Sequence, residues 1–278
     1  MRKYILTGAG TLLVAISLFT ISWRATEVMP AASNAAATSI VRSPSEESLY
    51  NQYVQELYGA AHLAGSGLSP AVFEKAVTGY YNLKNSGKLS NSKSVISIAD
   101  MDQASTSKRL WVIDLDKREV ILNTWVAHGK NTGDDKATRF SNINSSNQSS
   151  IGFYVTGEVY YGKHGRSLRL DGMDAGYNSN ARERAIVVHG ASYVGQGTIN
   201  ALGRLGRSQG CPAVAPEYAD KLISAIEGKT VLFINGTDQK YTSRYLDTHV
   251  AASFASLPTH LATESAELAP AKSLKVGI

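Results

Sequence analysis

Hydrophobic and polar positions along this chain change their period twice. After Arg2 and Lys3, the stretch from Tyr4 to Trp23 is uncharged and mostly apolar, interrupted by Thr, Ser and Gly. A charged start followed by an apolar run predicts a secretory leader, and about 20 apolar residues also suffice for an uncleaved anchor. Residues 1–24 are therefore read as a signal peptide or membrane anchor. Residues 25–43 are Ala- and Ser-rich without pattern, and predict a flexible linker. Ser45 then opens a helical signature, with Ser48 three residues on and Glu46 and Glu47 in the first turn. Leu49, Tyr53, Leu57 and Ala61 follow at intervals of four and predict one apolar helix face. Gly65-Ser66-Gly67 breaks it. Ser69-Pro70 starts a second helix, with Pro at the first helical position. Its apolar face is Val72, Phe73, Ala76, Val77 and Tyr80 or Tyr81, and it ends at Asn85-Ser86-Gly87. Residues 44–91 thus predict a helical hairpin.

From about Ser92 the period shortens to that of strands. Val95–Ile98 is one short strand, and Arg109–Leu115 and Glu119–His128 read as a hairpin turning at Asp116-Lys117-Arg118. Asn131–Asp135 and Ser141–Ser150 are loops rich in turn residues. Ile151–Tyr161, Ser167–Leu170 and Ala185–Val188 are further strands, the last ending at His189-Gly190. A helix begins at Pro216 and runs through Leu222 and Ile226 to Gly228, and Thr230–Ile234 is a final strand. The expected fold is mainly β, a compact sandwich or barrel over residues 92–241 with one late helix, preceded by the helical hairpin. Residues 242–278 predict a partly disordered C-terminal tail.

Composition adds limits. At 278 residues and 43% hydrophobic, the chain can bury a core. Its net charge of +5, part of it in the leader, gives a nucleic-acid partner little support and suits acidic partners such as wall peptides with free carboxylates. The single cysteine, Cys211, cannot form an internal disulfide, and a leftover thiol in an exported chain is a candidate reactive one.

The chemistry concentrates between Ala185 and Pro216, where the strand ending at His189-Gly190 leads through a glycine-punctuated loop to Ser208-Gln209-Gly210-Cys211. A thiol becomes a nucleophile as a thiolate, and a nearby imidazole is the usual means. The Gly190 carbonyl is placed to hold one ring nitrogen of His189 and fix its tautomer. The amides of Gln209, Gly210 and Cys211 are oxyanion-hole candidates. Three His-Gly dipeptides, at His128, His164 and His189, leave the partner of Cys211 open on spacing alone. An ion pair between thiol and imidazole would make alkylation appreciable near pH 7. No metal is expected, since one Cys and scattered His supply no ligand cluster and no calcium-loop pattern occurs. Ser208 lacks a G-x-S-x-G context and is assigned to hydrogen bonding within the loop. Arg204 and Arg207, with Lys163, His164, Arg166 and Arg169, could make a cleft basic, Arg207 being nearest the thiol in sequence. Tyr154, Tyr160 and Tyr161 read as core and cleft wall.

R-A-I-V-V-H-G at Arg184–Gly190 and G-R-S-Q-G-C-P-A at Gly206–Ala213 resemble the catalytic core of YkuD-type murein L,D-transpeptidases. Supporting stretches are G-K-N-T-G at Gly129–Gly133, R-F-S-N at Arg139–Asn142, Q-S-S-I-G-F-Y at Gln148–Tyr154 and G-K-H-G-R-S-L-R-L-D-G at Gly162–Gly172. The resemblance covers about Ser92 to Tyr241. It implies a compact β fold with Cys211 as acyl-accepting nucleophile, His189 as base and the Gly190 carbonyl as orienting partner, with Gly210 shaping the backbone beside the thiol. It also implies cleavage of the bond between the L- and D-centres of a tetrapeptide stem, transfer of the acyl group to an amine, and no metal or organic cofactor. Arg207, Arg204, Ser208, Gln209, His164 and Tyr161 are the candidate substrate-binding residues. Many relatives carry Ser-His-Gly-Cys where this chain has Gln209, so no second imidazole adjoins the thiol.

The expectation is an exported transpeptidase, periplasmic or anchored in the inner membrane, monomeric, with peptidoglycan stem peptides as its partner. Its rivals are the same thioester chemistry with water as acceptor, as in an L,D-carboxypeptidase or cross-link hydrolase, and a non-catalytic wall-binding protein. A papain-like protease fits least, since neither its cysteine signature nor its order of partners occurs.

Overall fold

The computed structural model describes residues 45–255. The predicted leader and linker, and residues 256–278 of the predicted tail, lie outside them. Eight strands form one sheet: β1 (Val95–Asp100), β2 (Leu110–Asp114), β3 (Glu119–Thr124), β4 (Gly152–Gly162), β5 (Gly165–Gly172), β6 (Val187–Gly190), β7 (Ala213–Val214) and β8 (Val231–Asn235). Their order is β3-β2-β1-β8-β4-β5-β6-β7. Beyond the end of β3, Ala127 pairs with Ala213 of β7, its amide donating to the Ala213 carbonyl at 2.8 Å. That bridge joins the two edges and nearly closes the sheet into a barrel, which leaves little unpaired edge. The concave side holds Val112, Tyr154, Leu168, Leu170, Ile186, Val188 and Ile234 around Leu222, Ile223 and Ile226. Those last three lie on α4 (Pro216–Ile226), whose Pro stands at its first position as the sequence predicts.

The N-terminal helices cover the convex face of the central strands. α1 (Glu46–Ala60) begins at Ser45, whose Oγ accepts the Ser48 amide at 3.2 Å. Its buried face is Tyr50, Val54, Leu57 and Ala61, while Leu49 is 51% exposed. Positions spaced by four drift about 40° per step around a helix, so the predicted set leaves the core at its N-terminal end. Tyr50 takes that place and reaches Thr78 Oγ1 with its hydroxyl at 3.2 Å. α2 (Pro70–Asn85) buries every residue from Ala76 to Leu83, because the sheet and the other helices enclose it. Its predicted face is all buried, and Phe73, Tyr80 and Phe153 share one core with Trp111 and Phe233.

Two helices lacked a sequence signal. α3 (Gln196–Leu202) buries no residue, so it carries no apolar stripe for a pattern to reveal. α5 (Thr248–Ala255) lies in the predicted tail and packs on α1 and α2 through Ala251 and Ala252. The segment before it is fastened by Asn82, whose Nδ2 donates to the Tyr245 and Asp247 carbonyls at 2.9 Å each. Small apolar residues bury well but generate little periodic contrast, so this part of the tail reads as unpatterned although it is packed helix. Among the described residues, no helix is long and apolar enough to cross a membrane.

Candidate active site

β6 carries His189 to the convex face at the far end of the sheet from the N-terminal helices. One row of paired residues crosses the strands there: Tyr160 opposite Ser167, Ser167 opposite His189, and His189 opposite Ala213. Opposed residues project to the same side of a sheet. β7 begins at Ala213, and Cys211, two residues before it, packs against the cluster that holds Ile186, Val188 and Val214. The Cys211 sulfur lies 3.7 Å from the Ala185 carbonyl and also receives the Val187 amide.

His189 is buried, and its Nδ1 lies 2.8 Å from the Gly190 carbonyl. A carbonyl only accepts, so Nδ1 carries the proton and Nε2 keeps its lone pair. Burial, and then the neighbouring His164 and Lys163, hold this imidazole below its ordinary value despite the Gly190 bond. Cys211 is partly exposed, yet burial is the main influence on its thiol and pushes it up, against lowering by the Val187 amide, Arg184 and Lys163. Both shifts favour a neutral resting pair over the thiolate–imidazolium pair that would make alkylation appreciable near pH 7.

The other two His-Gly dipeptides occupy different settings. His128 is buried, with Nδ1 accepting from Arg109 Nη2 at 2.7 Å and Nε2 donating to the Gly133 carbonyl at 3.4 Å. Both of its nitrogens are committed, and burial beside Arg109 lowers it to about 4. It is a structural support, its carbonyl accepting the Ser208 amide at 2.9 Å. His164, at the exposed tip between β4 and β5, stacks on His189 with ring centroids 4.2 Å apart.

The loop that carries Cys211 is held from below. Ser208 Oγ donates to the Cys211 carbonyl at 2.7 Å and accepts the Gly210 amide at 3.0 Å. That assigns Ser208 a place within the loop and commits one of the three predicted oxyanion amides, leaving those of Gln209 and Cys211. Gly210 has φ +126°, and a Cβ there would stand 2.8 Å from the Gln148 carbonyl, so both backbone and space call for glycine. Beneath it the buried Ser149 Oγ donates to the Gly210 carbonyl at 3.1 Å and accepts the Gly129 amide at 3.0 Å.

The predicted binding residues divide. Gln209 is exposed beside Cys211 in sequence and His164 lies over His189. Arg204 and Arg207 instead share Asp134 Oδ1, at 2.7 and 3.1 Å, and Arg207 also donates to the Gly133 carbonyl at 3.0 Å. Tyr161 is 81% exposed but opposes Arg166, one residue out of register with the His189 row. Tyr160 holds that row and lies under Arg169, whose guanidinium carbon is 4.6 Å from the ring centroid. Arg166 reaches α4, bonding Ser224 at 2.7 Å and Glu227 at 3.1 Å. The cations that act on the thiol are Arg184 and Lys163. Tyr193, half-buried across the loop, feels Cys211 in turn, its phenol raised to about 12 mainly by burial. Arg184 and Tyr193 flank the His189 strand in sequence, and their proximity to the quoted motif is the signal that could have singled them out. Among the described residues no three His, Cys, Asp or Glu side chains cluster as metal ligands.

Solved structures of similar shape include an L,D-transpeptidase from Mycobacterium smegmatis, 15% identical, covering 52% of this chain and 59% of that one with a TM-score of 0.32. L,D-transpeptidase 3 from Mycobacterium tuberculosis with a faropenem-derived adduct is 15% identical over 52% and 61% of the two chains, with a TM-score of 0.33. The helical cell shape determining protein Pgp2 from Campylobacter jejuni is 14% identical over 64% and 62%, with a TM-score of 0.37. The chain thus spans about three fifths of the length of these structures. No curated protein matches it. The family described as the L,D-transpeptidase catalytic domain matches residues 64–235, a span that takes in α2 as well as the barrel. The chain belongs to the YkuD-type L,D-transpeptidase catalytic-domain family.

Proposed function

We propose that this protein is an exported peptidoglycan L,D-transpeptidase that forms a thioester on Cys211 from a tetrapeptide stem and passes the acyl group to an amine. The observation that carries the reading is the bond from His189 Nδ1 to the Gly190 carbonyl, which leaves Nε2 unprotonated on the strand that pairs with β7, just after Cys211. The thiol proton passes to Nε2 as sulfur attacks the carbonyl between the L- and D-centres. The amides of Gln209 and Cys211 are the donors for the oxyanion. Collapse breaks the peptide bond, and the imidazolium returns its proton to the departing D-alanine amine. An acceptor amine then attacks the thioester, His189 takes a proton from it, and the thiol is restored as the new amide forms.

Product analysis of purified protein with a disaccharide-tetrapeptide tests this reading. Cross-linked dimer is the expected product. Shortened monomer alone would replace the amine with water and make the protein a carboxypeptidase, and no product would leave a wall-binding role.

A further inference from the structure

Arg184 lies behind the nucleophile. Its Nη2 donates to the Gln148 carbonyl at 2.7 Å, the same oxygen that closes off the space beside Gly210, and to Ser146 Oγ at 3.1 Å. Its Nη1 donates to the Ser141 carbonyl at 2.7 Å and to Ser150 Oγ. A Cβ on Gly210 would stand 3.5 Å from Nη2, so the guanidinium backs directly onto the Gly210–Cys211 peptide. The next residue, Ala185, has φ +52° and presents its carbonyl to the Cys211 sulfur at 3.7 Å.

Its partners set it apart from the arginines that pair with carboxylates, and liken it to the buried Arg109, which bonds only carbonyls and His128 Nδ1. Arg166, Arg169, Arg182, Arg204 and Arg207 each pair with a carboxylate. Every acceptor of Arg184 is neutral, its buried Nε makes no hydrogen bond, and no carboxylate among the described residues pairs with it. A guanidinium is charged at any working pH. A charge without a counter-ion, set in a low-dielectric position, acts strongly on the nearest group able to become an anion. Two such groups act on Arg184, the phenol of Tyr154, wholly buried with its hydroxyl bonded to the Ser150 carbonyl, and the partly exposed Cys211 thiol.

We propose that Arg184 is a positioning residue for Cys211. It places a fixed, uncompensated positive charge behind the Gly210–Cys211 peptide, favouring the thiolate, while its hydrogen bonds fasten the 141–150 loop beneath the nucleophile. The other ionisable groups coupled to the thiol are Lys163 from the β4–β5 tip and Tyr193 from the segment after β6, while His189, with His164 stacked on it, stands on the neighbouring strand β6 and also feels Lys163. Lys163 and His164 are exposed and open to screening by salt, whereas Arg184 is shielded by the loop it ties down. The proposal deepens the reading of Cys211 as nucleophile, but its test addresses the thiol alone and stands whether or not a stem peptide is turned over.

The experiment is the pH profile of iodoacetamide alkylation for the full chain, compared with Arg184→Lys and Arg184→Gln, each checked by circular dichroism. At pH 8 Arg184→Gln should react about fivefold to tenfold more slowly, its profile displaced to higher pH, and Arg184→Lys should recover most of the rate. A glutamine variant with the parent profile, or lysine and glutamine variants displaced equally, would reduce Arg184 to a loop fastener and overturn the proposal. Where glutamine fails to fold, Lys163→Gln gives a second measurement with Arg184 in place. Raising salt from about 0.05 M to about 0.5 M should change its alkylation rate less than about twofold, because a charge behind the loop is poorly screened. A tenfold fall would assign the effect to exposed charges and defeat the proposal.

Discussion

His189 and Gly190 are joined through side chain and main chain, Nδ1 lying 2.8 Å from the carbonyl of the very next residue. The contact spans one peptide, so it forms wherever β6 forms and owes nothing to a distant carboxylate. Its consequence is a single tautomer with Nε2 free, the form a general base requires.

Burial lowers His189 and raises Cys211, which gives the pH dependence its sign. The imidazole must be neutral to accept the thiol proton, so kcat/KM should persist below pH of about 6.5, the ordinary histidine value, and fail only at more acid pH. Alkylation of Cys211 by a neutral reagent should rise above the ordinary thiol value of about 8.5. An acid limb at or above the ordinary histidine value would contradict this account of the base.

Ser149 is the support whose loss should be felt both in stability and in turnover. Ser149→Ala leaves the Gly129 amide and the Gly210 carbonyl without their shared partner. An unsatisfied buried group costs about 1–3 kcal/mol, and thermal melting should show a loss in that range. The kcat should fall with it, since the carbonyl released belongs to Gly210, the residue preceding Cys211. Wild-type melting and turnover would remove Ser149 from the site's support.

Much of the barrel was legible because its signals are local. Short runs rich in apolar residues mark β1, β2, β4 and β8, and Pro70 and Pro216 mark helix starts. Spacing alone left three His-Gly dipeptides open as partners of Cys211, and the resemblance carried by Arg184–Gly190 and Gly206–Ala213 singled out His189 and Gly190. What escaped depends on partners remote in the chain. Ala127 closes the barrel against Ala213, and Asp134 draws Arg204 and Arg207 onto itself. Closeness in sequence pointed to Arg207 as the cation nearest the thiol. Arg184, 27 residues before Cys211 in the chain, lies there instead because β6 and β7 run parallel and side by side.

His128 makes stability depend on pH. It is held at about 4 in the fold, against about 6.5 in an unfolded chain. The unfolded chain therefore binds a proton that the fold refuses. Its contribution is fully present above pH of about 6.5 and is lost as pH falls toward about 4, by about 3 kcal/mol in all. His189 shifts in the same direction. Urea unfolding at pH 7 and near pH 4.5 should show this slope, and His128→Asn should flatten it. An unchanged slope in that variant would place the acid sensitivity elsewhere.

The central claim is that Cys211 carries the acyl group. Intact-protein mass spectrometry of the full chain with a disaccharide-tetrapeptide, beside Cys211→Ala, tests it most directly. The account predicts an adduct of substrate minus D-alanine on the parent chain and none on the folded variant. An adduct on both, or turnover of the stem by Cys211→Ala, would contradict it.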